Sequence, residues 1–143
     1  MRDLGILIDA DLTMRTQVTQ TCLMCFAALR QLRSLRRSVS NDVMQSLIVA
    51  LVFSRLDYGS ATLAGLSKQL MDRLQSVQNA AARLIFKACR QDHIQPLLRR
   101  LPWLQMPERI SFRLTVLVYR CLHGSAPDYL ASDLQRVSHL NAR

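Results

Sequence analysis

The chain predicts an all-α protein, a compact bundle of about five to six helices preceded by a short β-strand stub. Three observations carry this expectation. Half of the 143 residues are apolar and only four are glycine, so the chain is long and apolar enough to bury one core. Aromatic residues make up 6%, while the good helix formers Ala, Leu, Gln, Arg and Met are plentiful. Apolar residues recur at three- and four-residue steps over most of the length, the spacing of a single helix face. No internal repeat, low-complexity tract or long linker interrupts the pattern. The organisation is therefore a strand stub over residues 1–12, one helical domain over 13–137 and a polar tail over 138–143.

Leu4-Gly5-Ile6-Leu7-Ile8 is β-prone, and a strand this short needs partner strands. Asp9 and Asp11, which close it, read as turn and cap residues whose carboxylates bond local backbone. Thr13 to about Ser34 forms the first helix, with Val18, Cys22, Cys25, Phe26, Leu29 and Leu32 on its apolar face. Arg30, Arg33, Arg36 and Arg37 gather at its C-terminal end, where cations offset the helix dipole. Ser40 caps a second helix over about Asn41–Asp57, with Asp42 in its first turn. From Val43 to Phe53 this helix is apolar nearly all round, which places it in the centre of the bundle. Tyr58-Gly59-Ser60 ends or kinks it.

Ser67 caps a third helix, about Lys68 to Lys87, whose stripe is Leu70, Leu74, Val77, Ala81, Leu84 and Ala88. Gln75, Gln78, Asn79, Arg83, Lys87 and Arg90 lie off that stripe. Pro96 starts a short helix to about Leu101, and Pro102 stops it. Trp103 and Leu104 plug the core between helices. Pro107 opens a helix over about Glu108–Leu122, with Ile110, Leu114, Leu117 and Cys121 inward and Gly124 just past its end. A last short helix starts near Pro127.

The net charge of +9 comes from 19 basic residues against 10 acidic ones, and only Lys68 and Lys87 are lysine. Arginine binds phosphate in a bidentate fork, so a basic domain of this composition points to nucleic acid. Arg109, Arg113 and Arg120 on one helix, and Arg83, Lys87 and Arg90 on another, are the candidate phosphate contacts. Gln78 and Asn79 bond either sugar hydroxyls and bases or buried backbone. Arg55 and Asp57, two residues apart at the end of an otherwise buried helix, point in different directions and read as structural, held in an internal salt bridge or carbonyl clamp.

No catalytic motif accompanies these residues. The sequence has no Asp-Asp pair, no phosphate-binding glycine loop and no nucleophile elbow, and His93, His123 and His139 have no ligand-spaced partner. Cys22-x-x-Cys25 falls within a helix on its apolar stripe, which makes core packing the expected role. No cofactor is expected. The start lacks the pattern of a signal peptide, and the longest apolar run, Leu47 to Phe53, is too short to cross a bilayer. The expected location is intracellular, in the nucleus or cytoplasm.

Several sequence blocks, in order, resemble one family. Leu4-Gly5 is followed by Ser54-Arg55-Leu56-Asp57-Tyr58 and then by Leu74-Gln75-Ser76-Val77-Gln78-Asn79-Ala80-Ala81-Ala82-Arg83. After these come Leu101-Pro102-Trp103-Leu104 and the stretch Tyr119-Arg120-Cys121-Leu122-His123-Gly124-Ser125-Ala126-Pro127-Asp128-Tyr129-Leu130. Together they resemble the thumb-like region that follows the palm in reverse transcriptases of LINE-type (non-long-terminal-repeat) retrotransposons. Gly59-Ser60 stand where that family usually has Cys-Asn, and Gln105 where it usually has Pro.

The resemblance implies a helical fragment of an RNA-directed DNA polymerase that holds an RNA–DNA or DNA duplex weakly and without sequence preference. It implies no polymerase activity in this segment, whose sequence lacks the catalytic aspartates. It also makes Leu4–Ile8 the end of the palm. The alternatives are a transposon-derived helical module for protein–protein contact, self-association included, and a relic with no selected role.

Overall fold

The computed structural model describes residues 1–134. Its fold is all-α with a short two-stranded sheet at the N-terminus, as the sequence predicts. β1 (Arg2–Asp3) and β2 (Ile6–Leu7) pair antiparallel, Arg2 opposite Leu7 and Asp3 opposite Ile6. The single strand expected over Leu4–Ile8 is thus the turn and second strand of a hairpin. Leu4 and Gly5 both take positive φ, 45° and 84°, the backbone of a tight two-residue hairpin turn. That turn lets Arg2–Asp3, which precede the run, pair with Ile6–Leu7 within it.

α1 (Arg15–Leu35) and α4 (Lys68–Phe86) form the centre of the bundle and run parallel. Near their starts, Arg73 donates to Thr19 Oγ1 at 3.0 Å and Cys22 Sγ to the Arg73 carbonyl at 3.7 Å. Near their ends, Arg36 of the α1 cap reaches the carbonyls of Leu84 and Ile85 at 2.7 and 2.5 Å. The second helix runs the other way as α2 (Asn41–Ile48), a π-helical turn over Val49–Phe53, and α3 (Ser54–Asp57). Ser40 caps it as expected, accepting from Val43 N at 3.3 Å. The wider π turn, in which Ser54 N donates to the Val49 carbonyl, keeps Val52, Phe53 and Leu56 on the core side.

This helix is not the bundle's centre. Met44, Ile48 and Val52 are fully buried, but Val43, Val49 and Leu51 are 47, 45 and 43% exposed. Only one stripe of the rod packs on α1 and α4, so its all-round apolarity leaves an uncovered face among the described residues. Val18, Cys25, Leu74, Val77, Ala81 and Met106 complete the core at 0% exposure.

A 3₁₀ turn (Ser60–Leu63) links α3 to α4. Ser67, expected to cap α4, makes no side-chain cap bond. α5 (Ile94–Arg99) starts two residues before Pro96, and α6 (Met106–Leu122) runs antiparallel to α4. Gln105 and Glu108 form a capping box at its start. Gly124, φ +70°, ends it as expected, with Ser125 N donating to the Arg120 carbonyl at 3.0 Å. α7 (Asp128–Ala131) follows Pro127.

Trp103 packs edge-on against Phe53 with ring centroids 4.5 Å apart, whereas Leu104, expected in the core, is exposed. Leu114 and Leu117 are only half-buried, and beyond Ile110 the one buried residue of α6 is Cys121. The expected residues 132–137 of the helical domain lie within the description only as far as Leu134, and His139 and the 138–143 tail lie outside it.

Candidate nucleic-acid interface

The six basic candidates fall into two groups at different ends of the bundle. Arg109 and Arg113 of α6 converge on Asp57 at the end of α3. Arg109 makes a fork of two bonds, Nε to Oδ1 at 2.6 Å and Nη2 to Oδ2 at 2.7 Å. Arg113 Nη2 reaches Oδ2 at 2.7 Å. The Arg109 guanidinium also lies 4.8 Å from the centre of the Phe53 ring. One carboxylate therefore neutralises part of the charge of two candidates, and Arg109 is held inside a three-element joint. Arg113 keeps 44% of its side chain exposed, and Arg120 is exposed without an ion pair among the described residues.

At the other end, Lys87 and Arg90 are exposed, while Arg83 is half-buried. Arg83 Nε is buried without a hydrogen-bond partner among the described residues. Lys87 is itself the left-handed C-cap of α4, with φ 52°, and Ala88 N closes the helix on the Arg83 carbonyl at 3.0 Å. This cap turns the chain away, so Arg90 leaves the helix axis.

The amides of the Leu74–Arg83 block, Gln75, Gln78 and Asn79, are buried or half-buried, whereas Ser76 is exposed. Gln78, expected off the apolar stripe, is fully buried and donates to the Leu104 carbonyl at 2.7 Å. Gln75 Oε1 accepts from Met106 N at 2.8 Å, and Gln75 Nε2 donates to Gln78 and Asn79 at 2.9 and 3.0 Å. Of the two roles open to Gln78, the structure provides the backbone-clamping one, which with Gln75 fastens the start of α6 onto α4. The Asn79 side chain bonds only that of Gln75 among the described residues. Asp57 performs the internal salt bridge expected of it. Arg55 reaches back to the Leu51 carbonyl of its own helix at 2.9 Å.

One structural arginine escaped the sequence reading. Arg36, assigned there to the helix dipole, is 6% exposed and clamps the end of α4. Besides Leu84 and Ile85 it bonds the Val39 carbonyl at 3.0 Å and Asn41 Oδ1. The signal was present: Leu29, Leu32 and Arg36 continue the core stripe at three- and four-residue steps.

Asp9 and Asp11 behave as local caps. Asp9 Oδ2 accepts from Thr16 N at 3.0 Å and Asp11 Oδ1 from Thr13 Oγ1 at 2.8 Å. These bonds, from Thr16 first for Asp9 and Thr13 first for Asp11, lower both pKa values below the usual carboxylate value. Cys22 and Cys25 are buried free thiols, and burial pushes Cys25 up to about 12. Among the described residues no cluster of His, Cys, Asp or Glu could hold a metal ion. Nor is any described helix long and apolar enough to cross a membrane. Compared with known proteins, the chain matches no family model, no curated protein and no solved structure.

Proposed function

We propose that the chain is a thumb-like segment of a LINE-type reverse transcriptase that holds primer–template duplex through non-specific phosphate contacts, and that it has no polymerase activity by itself. The observation that carries the reading is where the resembling blocks fall. Asp57 of the first block and Gln75 and Gln78 of the second are the residues that lock α3, α4 and α6 together. Conformity to the family at these joints marks one folded module. The net charge of +9 supplies the attraction to phosphate. In an intact enzyme this module trails the active site, in an intracellular compartment.

The test is a titration of the full chain against a labelled RNA–DNA duplex at increasing salt. Weak binding that falls steeply with salt supports the reading. No binding at low salt, or binding indifferent to salt, overturns it.

The exposed Val43, Val49 and Leu51, with Phe112 and Tyr119 on α6, favour a second reading as a helical protein-interaction module. Sedimentation separates the two. A stable oligomer indifferent to nucleic acid supports the second.

A further inference from the structure

We infer that the duplex contact lies at one pole of the bundle, where α1, α4 and α5 end together, and not along α6. This rests on the duplex-binding reading above and locates its surface. Arg36 ties the end of α1 to the last carbonyls of α4. Arg100, just past α5, lies 4.4 Å over the ring of Phe86, the last residue of α4. These two contacts bring Arg33, Arg37, Lys87, Arg90, Arg99 and Arg100 to the same end of the molecule.

All six are exposed, and none is ion-paired among the described residues. The nearest carboxylates in sequence are Asp42, in the first turn of α2, and Asp92, which accepts from Cys89 N at 2.6 Å. Six cations against two carboxylates leave an excess of four. Three helix C-termini carry only about half a negative charge each, too little to explain six cations as dipole compensation. Arg109 and Arg113, by contrast, share Asp57 near the opposite end, where Tyr58 bonds the Leu4 carbonyl of the hairpin. A cationic pole of three helix ends, with the apolar core behind it, fits a run of phosphates read by charge and not by base.

The test compares two charge-matched variants of the full chain on a labelled DNA duplex. One changes Arg33, Arg37, Lys87 and Arg90 to Gln. The other changes Arg2, Arg15, Arg55 and Lys68, at the hairpin end, to Gln. With about 0.9 of salt slope per phosphate contact, six contacts weaken binding about 2,000-fold between about 50 and 200 mM salt, and two weaken it only about 12-fold. The pole variant is expected to lose about 3.6 from the slope, and the hairpin-end variant to keep it.

Equal losses in both variants mean that binding follows net charge alone. A loss confined to the hairpin end misplaces the surface. Either result overturns this inference and leaves the duplex-binding reading intact, whereas a wild-type chain that binds no duplex removes both. Arg37→Gln at the pole and Arg2→Gln at the hairpin end, single changes at exposed positions, give the same comparison if a fourfold variant does not fold. The first is expected to lower the slope by about 0.9 and the second to leave it unchanged.

Discussion

Asp57 shows how one residue can redirect the meaning of several others. Its carboxylate accepts two hydrogen bonds from Arg109 at 2.6 and 2.7 Å and forms an ion pair with Arg113 at 2.7 Å, in a site where its own side chain is 14% exposed. Charge-assisted bonds in such partial burial are stronger than surface pairs, which contribute little. Asp57→Asn keeps the shape and removes the charge, and we expect a loss of about 1–3 kcal/mol in stability, read from urea denaturation. A loss below about 0.5 kcal/mol would mean that the pair behaves as an ordinary surface bridge. The cysteines divide just as sharply. Cys89 is exposed, whereas Cys25 is buried with its thiol pushed up to about 12. A thiolate-directed reagent near neutral pH should label Cys89 first and reach Cys22 and Cys25 only on unfolding. Early labelling of Cys25 in the native protein would contradict this burial.

At the scale of elements, the joints are made by polar side chains that bond carbonyls. Arg36 is the largest of these, because four acceptors from α4, the α1–α2 link and α2 converge on one guanidinium. Arg36→Ala leaves helix-end carbonyls without their donor and is expected to cost about 2–4 kcal/mol. Arg36→Lys should recover less than half of that, since an ammonium lacks the planar fork. Full recovery by lysine, in thermal or urea melts, would show that charge alone holds the joint.

The start of α1 depends on pH through Asp9 and Asp11, whose hydrogen bonds from Thr16 and Thr13 hold their folded pKa values below 3.8. A group depressed in the folded state contributes stability above its unfolded pKa and loses it as pH falls through the folded value. Acid below about pH 4 should therefore fray the hairpin–α1 junction, seen as loss of amide protection at Thr13 and Thr16. Unchanged protection at about pH 3 would rule this out.

Over the whole molecule, helical periodicity was enough to delimit α1, α4 and α6 to within about two residues, because each has one apolar face. It failed for the second helix, where a run apolar on every side carries no information about which side is covered. The hairpin was missed for a related reason: Leu4-Gly5 sits inside a β-prone run, and only pairing reveals it as a turn.

The two candidate groups of cations are equivalent in the sequence because a helix face records spacing but not what lies across from it. Composition and periodicity by themselves determined an all-α, strongly basic domain and the order of its helices, since these depend on interactions between residues three or four apart. Which cations are free was decided by tertiary structure alone. Asp57 lies 52 residues from Arg109, and Arg36 lies 48 and 49 residues from the carbonyls it clamps. Pairings at such separations are set by how helices pack, which no local pattern encodes.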